Sequence, residues 1–307
     1  MLHTCNAIIL FFIIKKITNL NKLSYYIPFF STLLFLFHPL QIETVAWVSA
    51  SKWLLVTFFM LLGILFYLQY RIQSMPVCLL YSFLFFVLAI LSKEIGVILP
   101  VLMLIIEICF LKKSYAGLKK LIPFLLLALL FGVFTLYIPI FRSDLQELRV
   151  KPRFTLLDDT FLSARCIGDY IFYLLTPIHR SWKLGLITGN ENIFPPIIEI
   201  LVFIATGGTL LYLKKRFLTG GFLIFMINIF FSLPLLPASR SALIADRYMY
   251  IAGIGIWTGL IIFFFLNRHR PIINILFGAY LLYIIIVALA ESYKWYSTLP
   301  LISSSIY

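Results

Sequence analysis

Long apolar stretches alternate with short polar linkers along the whole chain, and this pattern indicates the class of fold. Several stretches approach or exceed the ~20 residues that a helix needs to cross a bilayer. Residues 122–140, IPFLLLALLFGVFTLYIPI, lack the alternation of a membrane β-barrel. The pattern therefore predicts helical crossings. The apolar stretches lie at about 5–17, 24–37, 53–70, 77–92, 95–111, 121–140, 161–176, 196–213, 220–237, 249–266 and 271–290.

The composition of the chain agrees with this pattern. Of its 307 residues, 62% are hydrophobic and 12% are charged, whereas roughly a quarter of a soluble domain is charged. The mean hydropathy is +1.04. We predict an all-α, polytopic integral membrane protein in which residues 1–307 form one transmembrane domain, without a soluble domain or a tandem repeat. It would lie in the cell membrane of a bacterium or the endoplasmic reticulum of a eukaryote.

The net charge of +13 is distributed unevenly among the linkers, and this predicts an orientation. One set of linkers carries Lys and Arg without any Asp or Glu, and the positive-inside rule assigns such short loops to the cytoplasm. The N-terminus then lies outside, and membrane topology explains the charge without a nucleic-acid partner. The cations of these linkers are Lys15, Lys16, Lys22, Arg71, Lys112, Lys113, Lys119, Lys120, Lys214, Lys215, Arg216, Arg268 and Arg270.

The stretch at 161–176 fits this orientation only if it does not cross the membrane. It contains Arg165 and Asp169, which are costly at the centre of a bilayer. We therefore predict an amphipathic helix on the outer surface, within an outer interval that covers 141–196. About ten transmembrane helices then remain.

Four other kinds of residue receive ordinary structural interpretations. Asp158 and Asp159 precede the amphipathic stretch, where Asp is a favourable N-cap. Glu107 lies near the inner end of its stretch, where we expect a polar contact between helices. His3 is expected at the surface. The cysteines match neither a metal site nor a disulfide framework, so we expect thiols that pack against lipid or against the protein core, and no metal site, at Cys5, Cys78, Cys109 and Cys166.

Three polar segments on the predicted outer side carry the candidate functional residues, because ionisable groups at a membrane boundary are costly and often functional. We call them the HP segment (37–55, FHPLQIETVAWVSASKWLL), the KE segment (91–100, LSKEIGVILP) and the DRY segment (239–250, SRSALIADRYMY). The candidates are the acids Glu43, Glu94 and Asp246, the cations Lys52, Lys93, Arg240 and Arg247, and the residues His38, Tyr248 and Tyr250.

Each of these candidates also has a purely structural interpretation. Glu43 and Lys52 fit solvated loop charges. Lys93 and Glu94 fit a pair at a helix boundary in which the lysine extends to water. Asp246 and Arg247 fit a structural ion pair, and the His38–Pro39 dipeptide fits a helix stop.

The three segments resemble motifs of one known family, the transmembrane and tetratricopeptide-repeat proteins and their bacterial relatives. The HP segment resembles the family's HP-x-x-x-E-x-V-A-x-V motif. The KE segment resembles its Lys-Glu motif, which a Gly-Val-type helix start follows. ADRYMYIAGIG, at 245–255, resembles its late run of an acid, Arg, any residue, Tyr, Leu and Pro. The order and spacing of the motifs agree over nearly the whole chain.

The resemblance implies a fold and a function. The family belongs to the polytopic glycosyltransferases with the C-type fold, which use a lipid-phosphate sugar donor and transfer the sugar on the outer or lumenal face. The eukaryotic branch is implicated in protein O-mannosylation. The implied partners are membrane lipid, the lipid-linked sugar donor and a protein acceptor, and no other cofactor is implied with certainty.

The resemblance also implies roles for the candidates. A carboxylate takes the proton of the acceptor hydroxyl, and cations stabilise the departing lipid phosphate. Glu43 stands apart among the acids because no cation is adjacent to it in sequence. The implied roles are catalysis by Glu43, Glu94 and Asp246, phosphate binding by Lys52, Lys93, Arg240 and Arg247, and a place in the cavity wall for His38, Tyr248 and Tyr250.

The chain departs from the family pattern at both ends. Family members usually carry one more helix and an acidic outer loop before the point where this chain begins, and tetratricopeptide repeats after the point where it ends. We therefore expect that the chain alone binds lipid phosphate but transfers no sugar. Two other functions stay open: a non-catalytic membrane module that binds lipid phosphate or a partner protein, and a transporter or flippase.

Overall fold

The computed structural model describes residues 1–111, 115–141, 156–177, 216–233 and 244–296. All regular structure in these ranges is helical, which confirms the all-α class. The α-helices, in chain order, are α1 (Leu2–Leu20), α2 (Tyr26–Phe37), α3 (Ile42–Ala46), α4 (Ser51–Gln73), α5 (Pro76–Ser92), α6 (Leu99–Ile105), α7 (Tyr115–Lys120), α8 (Ile122–Phe141), α9 (Leu156–Leu175), α10 (Arg216–Phe230), α11 (Met249–Asn267) and α12 (Pro271–Tyr296). Short 3₁₀ helices cover Pro39–Gln41, Val48–Ala50, Glu94–Ile98 and Asp246–Tyr248, and one π-helical turn covers Ile106–Phe110.

The joint between α4 and α5 shows how local sequence shapes the bundle. α4 is followed by Ser74, which adopts the left-handed conformation with φ of 58°. α5 begins at Pro76, where the missing N–H is not needed by the helix. The two helices then pack along their length, and the Ser82 hydroxyl donates a hydrogen bond of 2.8 Å to the Gly63 carbonyl. A hydroxyl that would be costly in an apolar interface is thereby satisfied.

A second close helix pair, α10 with α11, depends on glycine. A Cβ atom added to Gly255 would collide with the carbonyl oxygen of Gly221, and a Cβ atom on Gly221 would meet the Gly255 backbone. Small residues at facing positions let two helix backbones approach closely, which is common in membrane bundles. The short distance between α10 and α11 therefore depends on glycine at these two positions.

One end of the bundle gathers cations of the acid-free linkers, and we call it the cationic end. Lys16 of α1 donates a hydrogen bond to Gln69 of α4. Asn21 donates to the Phe110 carbonyl at 2.7 Å and accepts from Arg216 at 2.6 Å. The structure thus places side chains from distant linkers at the same end, as the charge pattern requires.

Glu107 also lies towards the cationic end and makes the interhelical contacts expected for it. The Tyr67 hydroxyl donates to its carboxylate at 2.7 Å, and the Arg71 guanidinium forms an ion pair with it. The carboxylate is almost fully buried, so these donors offset the cost of removing it from water.

Three helices are long and apolar enough to cross a membrane, and a fourth crossing results if one bent pair counts as a single span. The three are Val48–Gln73, Asp246–Asn267 and Pro271–Tyr293, and the bent pair joins Tyr26–Phe37 to Pro39–Ala46 at 56°. This number, which refers to the described residues, is far below the expected ten. Several expected crossings form helices that are shorter, such as Pro76–Ser92, and the stretch at 196–213 lies outside the described residues.

The amphipathic stretch forms α9, but its start differs from the expectation. The helix begins at Leu156, so Asp158 and Asp159 lie in its first turn and do not precede it as caps. Acidic residues still suit this position because the helix dipole is positive there. Along α9, Cys166 and Tyr170 are buried while Phe172 is exposed, so the helix has one packed face. Its position along a membrane surface stays a prediction.

Candidate functional site

The opposite end of the bundle carries the HP segment, the KE segment and the described part of the DRY segment, 244–250, and we call it the motif end. α2 stops at Phe37 because His38 precedes a proline and adopts an extended backbone with ψ of 131°. Pro39 then opens a 3₁₀ turn, and the His38 Nδ1 accepts a hydrogen bond of 3.3 Å from the Leu40 N–H. The helix stop expected at His38–Pro39 is therefore present.

The ring of His38 is fully buried and helps to join the HP segment to α11. It lies against the indole of Trp257, with 4.5 Å between ring centroids. Its Nε2 has no hydrogen-bond partner among the described residues. The histidine thus serves as a packed element at the point where α2 breaks.

A buried ion pair connects the HP and DRY segments. The Arg247 guanidinium donates to the Glu43 carboxylate over 2.6 Å, and the Arg247 backbone N–H donates to its other oxygen over 3.2 Å. Both side chains are at most 5% exposed. The two residues are far apart in sequence, so this contact is what brings their segments together. We call this pair the Glu43–Arg247 clamp.

The clamp corrects one sequence expectation. Glu43 is not a solvated loop charge, since it is almost completely buried. No cation is adjacent to Glu43 in sequence, but the fold supplies Arg247 from the DRY segment as its partner in space. Both oxygens of the Glu43 carboxylate accept hydrogen bonds from Arg247, so the carboxylate has a structural role in this fold.

Aromatic rings extend the clamp to the KE segment. The Arg247 guanidinium lies over Trp47 at 4.9 Å and over Tyr248 at 5.2 Å from the ring centroids. Tyr248 contacts the ring of Trp53 at 5.4 Å, and the Lys93 ammonium lies 4.9 Å over that same ring. Cations over aromatic faces are attracted by the ring quadrupole. A continuous set of contacts therefore joins all three segments.

The KE segment supplies the accessible charges of this site. The Lys93 ammonium and the Glu94 carboxylate form a pair at 2.9 Å, and the Glu94 side chain is 58% exposed. Partial burial alone would raise the pKa of Glu94, but its hydrogen bond to Lys93 and the charges of Lys93 and Lys52 outweigh burial and hold the pKa below the ordinary value. Lys52 is itself exposed.

The other candidates take different positions. Asp246 is half-buried and close enough to Glu43 for their charges to interact. Tyr250 is fully buried, whereas Arg240 lies outside the described residues. His38 lines a cavity of about 390 Å³, whose lining does not include the two tyrosines or the candidate acids and cations. The place in a cavity wall expected for Tyr248 and Tyr250 therefore stays a prediction.

Two residues of the motif end, His3 and Asn6, were not recognised from the sequence. The Tyr250 hydroxyl accepts a hydrogen bond of 3.1 Å from the Asn6 amide and lies 2.8 Å from the His3 Nδ1. The other ring nitrogen of His3 donates to the Leu36 carbonyl at 3.2 Å. His3 is thus half-buried and bonded, contrary to the surface position expected for it. The only signal for this contact in the sequence was a polar residue at the start of the apolar helix α1.

No protein-family model, curated protein or solved structure matches this chain. The family resemblance therefore rests on the three segments alone. Among the described residues no group of His, Cys, Asp and Glu is arranged to hold a metal ion. The geometry offers the exposed Lys52 and the partly exposed Lys93 as anion ligands, with Glu94 as an accessible carboxylate beside them.

Proposed function

We propose that the chain is a membrane glycosyltransferase-like protein that binds a lipid-phosphate-linked sugar at the motif end. The observation that carries this proposal is the continuous set of contacts from Glu43 through Arg247, Tyr248 and Trp53 to Lys93. The three segments that resemble the family's motifs thereby meet at one end of the bundle, as a single site requires.

The proposed roles follow from exposure and charge. Lys93 and Lys52 bind the lipid phosphate, because both belong to the accessible edge of the site and their positive charges match it. Trp53 orients Lys93 through the ring contact. Arg247, which is buried against Glu43, positions the DRY segment and does not bind the phosphate directly.

The proton of the acceptor hydroxyl requires a different carboxylate from Glu43. Glu43 is fixed by two hydrogen bonds from Arg247, so Glu94 is the accessible acid at this site. The lowered pKa of Glu94 makes it a weak base, and general-base catalysis typically contributes ~10²–10⁴-fold to a rate. We therefore expect the isolated chain to bind the donor with little or no transfer.

A second candidate function is a non-catalytic membrane module that binds lipid phosphate. The clamp favours this second function, because the ion pair gives the carboxylate of the HP segment a structural role. A transporter or flippase, the third candidate, typically carries charged or broken helices at mid-membrane. The described ion pairs lie towards the two ends of the bundle, which does not favour transport.

The test uses the full chain in phosphatidylcholine nanodiscs with a polyprenyl-phosphate hexose and a Ser/Thr peptide. Changing Lys52 and Lys93 together to Gln should weaken donor binding at least tenfold. The matched control changes Lys119 and Lys120, which belong to the acid-free linkers, and should leave binding unchanged. Equal loss in both variants, or no saturable binding to the unmodified chain, contradicts the proposed site.

The same experiment separates the candidate functions. Binding without sugar transfer supports the non-catalytic module. Transfer that disappears in a Glu43→Gln variant that still folds and binds the donor, but persists in Glu94→Gln, shows that Glu43 is the base and that our assignment of roles is wrong. Movement of the lipid between leaflets of sealed vesicles, measured with the same donor, identifies a flippase.

A further inference from the structure

A cavity at the motif end lies beside the clamp and has a different chemical character. It has a volume of about 390 Å³ and is bounded by the start of α1, the end of α2, the turn after it and the last part of α12. Its polar lining residues are His3, His38, Gln41 and Ser292. This volume falls within the range of small-molecule sites.

The cavity has a buried floor and an exposed rim. His38 and Gln41 are buried, whereas Phe37, Val45 and Ser292 are exposed. The cavity therefore opens at the surface of the bundle, and a ligand can enter without unfolding a helix.

Gln41 carries an unmet hydrogen-bonding capacity at this floor. Its side chain is 2% exposed, and neither its amide nitrogen nor its amide oxygen has a hydrogen-bond partner among the described residues. Burying a polar group without a partner is unfavourable, and unpaired buried groups in native proteins call for an explanation. A ligand that offers both a donor and an acceptor would allow this amide to turn into the cavity and recover both bonds.

The lining also restricts the charge of the ligand. No Lys, Arg, Asp or Glu is among the described residues that line the cavity, and the remaining walls are apolar, including Phe37 and Ile42. An ionised group in such a site would be desolvated without an opposite charge. A hydroxyl both donates and accepts, so a hydroxylated, uncharged group matches Gln41, while an apolar chain matches the walls.

We propose that this cavity binds the uncharged, hydroxylated headgroup of an amphiphile, with Gln41 as its principal polar contact. This inference does not depend on the proposed sugar transfer, because it rests on the cavity and on Gln41. Lys52 and Lys93 lie outside the cavity lining, so a phosphate-binding site can be absent while this site is present.

The experiment measures binding of radiolabelled octyl β-glucoside, below its micellar concentration, to the full chain in phosphatidylcholine nanodiscs, with empty nanodiscs subtracted. We expect saturable binding that methyl β-glucoside displaces at least tenfold less effectively, because it lacks the chain. Octyl phosphate and octyl glucoside with methylated hydroxyls should not compete. Equal competition by any of these three probes overturns the proposal, as does an absence of saturable binding.

Two variants connect the binding to the cavity. Gln41→Leu should reduce binding at least tenfold and raise the midpoint of thermal unfolding of the ligand-free chain, because it removes an unpaired buried amide. Val45→Trp should fill the rim and also abolish binding, whereas Val48→Trp, at an exposed position outside the lining, should not. Normal binding by Val45→Trp, or equal loss in both tryptophan variants, overturns the assignment even if Gln41→Leu does not fold.

Discussion

At the scale of single residues, Glu43 shows how strongly the partner in space determines the chemistry of a side chain. Glu43 is the candidate acid that has no adjacent cation in sequence, and this suggests that it serves as a general base. In the folded chain its carboxylate meets both the guanidinium and the backbone N–H of Arg247. The first role that follows from these contacts is to hold the HP and DRY segments together.

The clamp predicts a large loss of stability when only one of its partners is removed. Glu43→Leu leaves Arg247 charged and buried, so we expect a decrease of about 3–5 kcal/mol in the free energy of unfolding. Arg247→Met should have a similar effect, because it leaves the Glu43 carboxylate unpaired. Unfolding of the purified chain in mixed micelles with increasing sodium dodecyl sulfate measures these values.

The double variant is the decisive control for this prediction. Glu43→Leu combined with Arg247→Met removes both charges and should cost clearly less than the sum of the single changes. Additive losses would show that the two residues contribute to stability independently, and that the clamp is not an energetic unit.

The exposed pair of Lys93 and Glu94 predicts a weak dependence of stability on pH. The pKa of Glu94 is lowered in the folded chain from its ordinary value of 4.5. The contribution of Glu94 to the free energy of unfolding is therefore fully present above pH 4.5. It is lost as the pH falls through the lowered pKa of the folded chain. Surface pairs contribute about 0–1 kcal/mol, so the effect is small. Unfolding midpoints between pH 6 and pH 3 should fall less steeply for Glu94→Gln than for the unmodified chain.

At the scale of helices, close packing and breaks in the helices position the segments that matter. The break at His38–Pro39 turns the chain by 56° and directs α3 towards the DRY segment. The contact between α10 and α11 through Gly221 and Gly255 fixes α11, whose preceding turn carries Arg247. The site is therefore sensitive to residues that do not belong to it.

Gly255→Ala is predicted to separate α10 from α11, because the added Cβ atom collides with the Gly221 carbonyl. Overpacking of this kind typically costs about 1–3 kcal/mol. Gly278→Ala is the matched control, since a Cβ atom there meets nothing within 4 Å. The control should be neutral or more stable by up to about 1 kcal/mol, because alanine favours a helix more than glycine does. Equal destabilisation in the same unfolding assay would show that close approach is not the cause.

At the scale of the whole molecule, the two ends of the bundle differ in charge and in content. The cationic end joins Lys16, Asn21 and Arg216 through contacts between distant linkers. The motif end holds the clamp and the cavity. This separation is what the positive-inside rule requires of a protein with its cationic end in the cytoplasm.

The orientation is predicted to place the motif end outside the cell or in the lumen. Single cysteines at Ser49 and Lys119, both exposed, would be introduced into a chain whose native cysteines are replaced. A membrane-impermeant maleimide added to intact cells should label position 49 and should label position 119 only after permeabilisation. The reverse pattern, or equal labelling, contradicts the orientation.

The sequence by itself determined the helical class, the approximate positions of the helices and the segments that merit attention. Apolar runs of this length can satisfy their backbone hydrogen bonds in an apolar environment only within helices, so these features are local. His38–Pro39 as a break and Glu107 as an interhelical contact were predictable for the same reason. The number of crossings was not predictable, because apolar stretches such as 77–92 and 220–237 form helices that are too short to count as spans by length.

Only the tertiary structure decided which charges are partners and which are accessible. Glu43 and Arg247 are separated by most of the chain, and no local pattern specifies their contact. The same holds for the contact of His3 with Tyr250 and for Gln41, whose unpaired amide is recognisable only once its surroundings are known. Charge and burial act through space, so a residue's chemistry at this site depends on helices that the sequence alone does not bring together.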